Sequence, residues 1–357
     1  MSAIETLEVI DHGVLRFLTA GSVDDGKSTL IGRLLYDTRS ILADQLAAIE
    51  RTSARRGGPL DLSLLTDGLT AEREQGITID VAYRYFATAH RKFIVADSPG
   101  HVQYTRNMVT AASTAQLAIL LVDARHGIVE QTRRHAALAH LVGVSHLVVA
   151  VNKMDLVDWR EDAFAKIVAD FAAFAENHGI GGVRYIPLSA LEGDMIVDRG
   201  SHLAWYDGPT LLQVLESAET PQQQASSTLR LPVQYVARPD GATPRAYLGR
   251  IEAGTLAAGD LVTVLPSGRT TRVRALRVGG VLQDRAGVHA AVAVELDDEL
   301  DISRGDLIVH AAGGPSAART LDADIAWLGS APLDARRTYA LRHTTRDVRA
   351  RIARVAD

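Results

Sequence analysis

The stretch GSVDDGKSTL, residues 21–30, fits the pattern G-x-x-x-x-G-K-[ST]. It follows the apolar run VLRFLTA and opens a helical pattern, the strand–loop–helix context in which such a loop binds phosphate. Backbone N–H groups and the helix N-terminus then surround phosphate oxygens, Lys27 neutralises β- and γ-phosphate charge, and the Ser28 hydroxyl ligates Mg²⁺. A plain tight turn between strand and helix is the alternative. The predicted phosphate-binding residues are Gly21, Ser22, Val23, Asp24, Asp25, Gly26, Lys27, Ser28 and Thr29.

Length and composition limit the class of protein. A chain of 357 residues is too long for one typical domain, and 47% hydrophobic with 23% charged residues is ordinary for a soluble globular protein. The net charge of −5 gives no reason to expect a nucleic-acid partner, and the lack of cysteine excludes disulfides and thiolate metal sites. The N-terminus does not resemble a signal peptide, and the apolar runs are shorter than the roughly 20 residues of a membrane span. We expect a cytoplasmic protein with no membrane partner.

Short apolar runs alternate with helical stretches up to about residue 220, which is typical of a mostly parallel sheet with helices on both faces. The predicted strands are 14–20, 92–97, 116–123, 146–152 and 184–189, and the predicted helices are 27–37, 105–113, 131–142 and 162–178.

The pattern changes after the polar segment PQQQASST, residues 221–228, which we interpret as a linker. Short β-rich pieces then follow at a spacing that suits a small closed barrel, namely LPVQYV, AYLGRIEAG, DLVTVLP, TTRVRALRV, AAVAVEL and DLIVH. The run LDADIAWLG, residues 321–329, predicts the first strand of another β-domain. We expect a nucleotide domain over 1–222, a barrel over 228–310, and the start of a second, incomplete barrel over 311–357.

Two further motifs point to the nucleotide. DSPGH, residues 97–101, follows a core strand, so Asp97 is placed to hold Mg²⁺ through water and the Gly100 N–H to reach a γ-phosphate. A type I turn without function is the alternative. In NKMD, the Asp155 carboxylate is suited to accept hydrogen bonds from guanine N1–H and the 2-amino group, which adenine cannot offer. The remaining predicted guanine-site residues are Asn152 and Lys153, and Ser189, Ala190 and Leu191, whose backbone is expected to donate to guanine O6.

Longer stretches carry a resemblance to a known family. TDGLTAEREQGITIDVAYRYF, residues 66–86, and DSPGHVQYTRNMVTAAST resemble the switch regions of translation-factor GTPases such as elongation factor Tu. SVDDGKSTLIGRLLYD and WYDGPTLLQVLE more narrowly resemble the GTP-binding large subunit, subunit 1, of bacterial sulfate adenylyltransferase. Asp25 stands where translation factors usually have His, which favours the second resemblance. Ser98 departs from it, standing where Thr is usual.

This resemblance implies a P-loop GTPase domain, an elongation-factor-type β-barrel and a partial second barrel. It also implies roles for several residues. Thr78 would ligate Mg²⁺ only while the γ-phosphate is present, and His101 would orient the attacking water as the catalytic residue. Val23 and Ile77 would form an apolar gate for His101. The Arg-rich residues 51–58 suit a mobile arm leading to Thr78, or a solvated loop without function.

The activity implied is shared between two chains. A small catalytic subunit makes adenylyl sulfate and pyrophosphate from ATP and sulfate, while this chain hydrolyses GTP, with Mg²⁺, to drive that synthesis. Two alternatives stay open. A translation GTPase would bind aminoacyl-tRNA, for which the C-terminal arginines Arg342, Arg346, Arg349, Arg351 and Arg354 are candidates, although the acidic balance argues against it. A stand-alone GTPase would have no coupled reaction.

Overall fold

A computed structural model describes residues 13–55, 60–65, 81–101, 104–219, 228–238 and 244–355. The chain divides into two compact units, Met1–Thr220 and Pro221–Asp357. The predicted linker, apart from Thr228, lies outside the described residues, as do Ile77 and Thr78. Within the described residues, no helix has both the length and the apolar character that crossing a bilayer requires.

The first unit is built on a six-stranded sheet in the order β2-β3-β1-β4-β5-β6. All neighbours pair in parallel except β2 with β3, so the predicted parallel sheet is confirmed. The strand missed from sequence is β2, an edge strand whose tyrosines face solvent and whose Phe86 stacks on Phe93 with ring centroids 4.6 Å apart. The strands are β1 (Val14–Ala20), β2 (Ala82–Ala87), β3 (Lys92–Asp97), β4 (Leu117–Asp123), β5 (His146–Asn152) and β6 (Arg184–Pro187).

Six α-helices accompany this sheet in the described part of the first unit. The chain crosses the sheet in one direction from β1 to β3 and in the opposite direction from β3 through β6. Right-handed crossovers therefore place α1 on one face of the sheet and α3, α4 and α5 on the other. The helices are α1 (Lys27–Asp37), α2 (Ala43–Arg55), α3 (Thr105–Ala112), α4 (Glu130–Leu141), α5 (Glu161–Asn177) and α6 (Leu211–Ser217).

The prediction of a mobile arm over residues 51–58 is wrong for residues 51–55, because they form the end of helix α2. Ile49 and Ser53 on one face of this helix are buried, and the Ser53 hydroxyl accepts the Asp61 N–H at 2.9 Å. Tertiary packing of one helix face thus outweighs the polar character of the segment. Residues 56–59 lie outside the described part.

The end of α6 is held by Arg91, a buried residue at the turn between β2 and β3. Its Nη1 donates to the carbonyls of Leu215, Glu216 and Ala218 at 3.0, 3.1 and 2.6 Å. Such carbonyls have no partner within their helix and carry partial negative charge, so a guanidinium is a suitable cap. Thr88 adds a hydrogen bond of 2.6 Å to Glu216.

Gly32 marks the closest approach of α1 to the short 3₁₀ turn Leu62–Leu65. A Cβ added at Gly32 would lie 2.2 Å from the Leu62 carbonyl oxygen. Alanine normally stabilises a helix interior by about 1 kcal/mol relative to glycine, but here the backbone has to move. We expect Gly32→Ala to lower the free energy of unfolding by about 3 kcal/mol, measured by urea denaturation.

The matched control is Gly181→Ala, since a Cβ at Gly181 meets nothing within 4 Å. We expect it to stay within about 1 kcal/mol of wild type. Equal stability of the two variants would contradict close packing of α1 on this turn.

The second unit contains the predicted closed barrel. Six antiparallel strands follow the order β10-β15-β7-β8-β14-β11, and a further β10–β11 pairing closes the sheet on itself. Alternating buried residues such as Val262, Val264, Val292 and Val294 fill its interior. The six strands are β7 (Arg230–Ala237), β8 (Ala246–Arg250), β10 (Leu261–Leu265), β11 (Arg269–Val278), β14 (Ala291–Leu296) and β15 (Leu307–His310); the minor strands are β9 (Leu256–Ala257), β12 (Val281–Gln283) and β13 (Arg285–Ala286).

The strand expected at residues 321–329 is wrong, since this stretch has no regular structure. A strand needs a neighbour for its backbone groups, and none of the described residues pairs with it. A hairpin of β16 (Thr338–His343) and β17 (Arg346–Arg351) follows instead. Two of its arginines are paired, Arg342 with Asp347 and Arg346 with Asp306. That residues 311–357 begin a second barrel stays a prediction.

Candidate functional site

The sequence motifs of the first unit meet at one edge of its sheet. The carboxyl ends of parallel strands lie together, and the loops that follow β1, β3, β5 and β6 carry residues 21–26, 97–101, 152–155 and 189–191. Ligands of open α/β sheets bind at this edge. The fold therefore assembles the four motifs that the sequence separates by many residues.

The phosphate-binding loop is closed around Lys27. This side chain is buried, and its Nζ donates to the carbonyls of Gly21 at 3.2 Å and Ser22 at 2.7 Å. Burial lowers the pKa of Lys27, while the carboxylates of Asp97, Asp25 and Asp24 oppose that change. The Lys27 ammonium therefore lies near the N-terminus of α1, where backbone N–H groups also favour the binding of anions.

Asp25, the residue that departs from the translation-factor pattern, lies inside this loop. It is 6% exposed, and its Oδ2 accepts the Ser22 N–H at 2.5 Å. Burial raises the pKa of Asp25, against the lowering effect of the Ser22 hydrogen bond and of Lys27. The carboxylate therefore acts as an internal brace of the loop.

Two glycines allow the loops to approach one another. Gly26 has a left-handed φ of 95°, and a Cβ there would lie 2.4 Å from Asn152 Nδ2. A Cβ at Gly100 would lie 2.5 Å from Lys27 Nζ and 2.9 Å from the Gly21 carbonyl oxygen. Gly100 is therefore in direct contact with the phosphate-binding loop, and its role at a γ-phosphate stays a prediction.

Oxygen donors suited to Mg²⁺ lie at the same place. Asp97 is buried beside Thr19, whose hydroxyl donates to its Oδ1 at 3.4 Å, and Ser28 is half-buried at the second residue of α1. Mg²⁺ prefers a few such oxygens together with water and phosphate to an all-protein cage. The described residues contain no cluster of three or more His, Cys, Asp or Glu able to hold a metal. The third predicted ligand, Thr78, lies outside them.

His101 has an exposed side chain directly after Gly100, and its ring centroid lies 6.1 Å from that of Tyr104. The Tyr104 N–H donates to the His101 carbonyl at 3.0 Å, which begins the turn leading into α3. Val23, the described member of the predicted gate, is 37% exposed.

Asn152 links the loop after β5 to the loops after β1 and β6. Its Nδ2 donates to the Asp25 carbonyl at 2.8 Å, and its Oδ1 accepts the Ala190 N–H at 2.9 Å. The side chain is 2% exposed, so these bonds are shielded from water. One amide therefore braces three loops, a role that the motif pattern alone did not reveal.

Lys153 also connects the loop after β5 to the loop after β1, and its backbone is left-handed with φ 63°. Its Nζ donates to the Asp24 carbonyl at 2.5 Å and lies 2.9 Å from Asp123 Oδ2. Sequence reasoning missed Asp123 and Arg125, although an acidic residue ending a buried parallel strand was a signal for them. Burial works to raise the pKa of Asp123, but hydrogen bonds from Arg125 and Lys153 outweigh it and hold that pKa well below its usual range.

Asp155 is half-buried on the 3₁₀ turn Met154–Val157. Its Oδ1 accepts the Ser189 hydroxyl at 2.6 Å, and the same hydroxyl accepts the Glu192 N–H at 3.2 Å. The carboxylate and the loop after β6 are thus locked together. The Ala190 N–H, one of the backbone donors of this loop, is donated to Asn152 Oδ1.

His135 lies on α4 and is fully buried near the site. Its Nε2 is 2.7 Å from Gln131 Nε2, while its Nδ1 has no hydrogen-bond partner among the described residues. Burial, together with the positive charges of Lys27 and Arg134, lowers the pKa of His135 from 6.5 to about 4. The folded protein therefore resists protonation of this ring.

This depressed pKa predicts an acid-sensitive stability. The unfolded chain binds the proton below about pH 6.5, so the contribution of His135 is complete above that pH and is lost as pH falls to about 4. We expect the free energy of unfolding to drop by about 3 kcal/mol across this window, measured by denaturation at a series of pH values. His135→Gln should flatten the dependence, whereas His178→Gln, at an exposed histidine, should not. An unchanged slope in His135→Gln would contradict the assignment.

Two protein-family models match this chain and show the class of protein to which it belongs. Residues 12–222 match the family model "Elongation factor Tu GTP binding domain", and residues 245–309 match "Elongation factor Tu domain 2". The fold and the site therefore define a GTP-binding protein of the translation-factor class. The solved GTPase-like domain of S. cerevisiae Ski7 is 18% identical with a TM-score of 0.50, over 84% of this chain and 75% of that one, which shows the fold alone.

Curated relatives show which family within this class the chain belongs to. "Sulfate adenylyltransferase subunit 1" of Laribacter hongkongensis is 54% identical over 91% of this chain and 68% of the relative. "Bifunctional enzyme CysN/CysC" of Mycobacterium tuberculosis is 53% identical over 95% of this chain. The chain belongs to the family of sulfate adenylyltransferase subunit 1, which confirms the resemblance stated from sequence. It spans 56% of the length of the mycobacterial relative.

Proposed function

We propose that this chain is the GTP-hydrolysing subunit of a sulfate adenylyltransferase. It hydrolyses GTP, and that hydrolysis drives the synthesis of adenylyl sulfate and pyrophosphate from ATP and sulfate on a small catalytic partner subunit. The observation that carries the proposal is the bracing of the phosphate-binding loop to the guanine motif by Asn152, in a chain 54% identical to a named subunit 1.

Each end of the nucleotide has its own residues in this proposal. Lys27 and the backbone N–H groups of the loop bind the β- and γ-phosphates, and Gly100 contacts the γ-phosphate from the opposite side. Asp155 accepts the two guanine donors and so selects GTP over ATP. A buried acceptor left without its donors lowers affinity strongly, which makes such selection effective.

Ser28, Thr78 and Asp97, the last through water, would hold Mg²⁺. When bound, the ion neutralises charge that develops on the β- and γ-phosphate oxygens. His101 orients the water that attacks the γ-phosphate, and Val23 with Ile77 keeps His101 away from that water until the partner is engaged.

Coupling between the two subunits has to be a difference in affinity. The GTP-bound and GDP-bound conformations of the segments around Thr78 and His101 bind the reaction states of the partner unequally. Hydrolysis then shifts the partner's equilibrium toward adenylyl sulfate, which is the uphill product.

The test is GTP hydrolysis by this chain, alone and with the small sulfate adenylyltransferase subunit of the same organism. Each mixture is assayed with and without ATP and sulfate. The proposal expects stimulation that requires the partner and both of its substrates. Stimulation by ribosomes and aminoacyl-tRNA, with no effect of the small subunit, would contradict it and favour the translation alternative. Hydrolysis indifferent to both additions would favour a stand-alone GTPase.

A further inference from the structure

Arg33 connects the helix of the phosphate-binding loop to the loop that follows β6. Its Nε donates to the Ala190 carbonyl at 3.3 Å, and its Nη2 donates to the Leu191 carbonyl. Its Nη1 lies 3.7 Å from Asp37 Oδ1, and the side chain is 19% exposed. One planar guanidinium therefore holds two successive carbonyls of the loop predicted to face guanine O6.

Holding a carbonyl also fixes an N–H group. In a trans peptide the C=O of one residue and the N–H of the next point in opposite directions, and the bond between Ala190 and Leu191 is trans. The contact of Arg33 with the Ala190 carbonyl therefore directs the Leu191 N–H away from α1. The contact with the Leu191 carbonyl likewise fixes the Glu192 N–H, which donates to Ser189 Oγ at 3.2 Å.

The neighbouring donors of the loop already have protein partners. The Ala190 N–H is donated to Asn152 Oδ1 at 2.9 Å, and the Gly193 N–H to the Ser189 carbonyl at 2.8 Å. Leu191 itself has an exposed side chain. Arg33 fixes the direction of the Leu191 N–H through the Ala190 carbonyl, whereas the Glu192 N–H, which it also fixes, already donates to Ser189 Oγ.

We propose that Arg33 is a positioning residue for purine recognition. It directs the Leu191 N–H toward guanine O6 and so contributes to the choice of guanine over purines without that oxygen. Arg33 does not touch the base in this arrangement. A lysine has one point-like ammonium in place of the planar fork and cannot hold both carbonyls in the same geometry. The inference rests on the proposed binding of GTP.

The experiment measures dissociation constants of three diphosphates by calorimetry. GDP has both O6 and the 2-amino group, inosine diphosphate keeps O6 without the amino group, and 2-aminopurine riboside diphosphate lacks O6. We expect Arg33→Met to weaken GDP and inosine diphosphate by about tenfold each, the value of one lost hydrogen bond, and to leave the 2-aminopurine nucleotide unchanged. The control Arg134→Met, at an exposed arginine of α4, should change none of the three.

Arg33→Lys keeps the charge and most of the packing, and should show the same selective loss to a smaller extent. It decides the question if Arg33→Met fails to fold. Equal weakening of all three nucleotides, or no change, would overturn the inference while leaving GTP binding intact. Failure of the wild-type chain to bind GDP would overturn the proposed function, and this inference with it.

Discussion

Asp155→Asn is expected to exchange guanine for xanthine as the preferred base. The asparagine carbonyl keeps one of the two carboxylate oxygens and can accept the guanine N1–H, but its amide nitrogen then faces the 2-amino group as a second donor. Xanthine carries a carbonyl at that position, which the amide can pair with. We expect the affinity for GDP to fall by about 10³-fold and the affinity for xanthosine diphosphate to rise by a similar factor, because mispaired buried polar groups dominate such discrimination.

The structure shows a second contact of Asp155 that the substitution should preserve. Asp155 also accepts the Ser189 hydroxyl at 2.6 Å, and the asparagine carbonyl can keep that bond, so the loop after β6 should stay in place. Asp158→Asn is the matched control, since Asp158 is exposed on the same segment. Equilibrium titration with both diphosphates checks the exchange. Loss of GDP affinity without any gain for xanthosine diphosphate would contradict direct contact between Asp155 and the base.

His101→Ala is expected to slow GTP hydrolysis about 10²-fold or more while leaving nucleotide affinity within about twofold of wild type. The reason is that His101 directly follows Gly100, the proposed γ-phosphate contact, but lies outside the phosphate-binding loop itself. Its exposed side chain is not part of the buried core. Removing it therefore takes away an interaction with the attacking water and little ground-state binding.

Single-turnover hydrolysis in the presence of the small subunit separates chemistry from product release. His90→Ala, at an exposed histidine in the turn between β2 and β3, is the control and should hydrolyse GTP at the wild-type rate. His101→Gln should retain part of the activity, since a glutamine amide can also orient water. A weaker GTP affinity with an unchanged hydrolysis step in His101→Ala would contradict the catalytic role.

Strong local patterns account for most of what could be predicted about the fold. Strands β1, β3 and β5 and helix α1 begin and end where their apolar runs and the phosphate-loop motif indicate. Two of the segments that were missed, β2 and α2, are half-exposed, and their identity depends on packing against Phe93 and on the Ser53–Asp61 contact. The strand wrongly expected at residues 321–329 has the right local pattern but no described neighbour to pair with.

By itself, the sequence determined which nucleotide the site suits, because each motif carries its own chemistry. The ammonium of Lys27 is chemically suited to phosphate, and the carboxylate of Asp155 is chemically suited to the two donors of guanine. Only the tertiary structure decided how these motifs are held together. Asn152 bridges Asp25 and Ala190, and Arg33 reaches Ala190 and Leu191 from a helix far away in the chain. Such contacts depend on distances between strands that no local pattern encodes, so they become visible only once the sheet is formed.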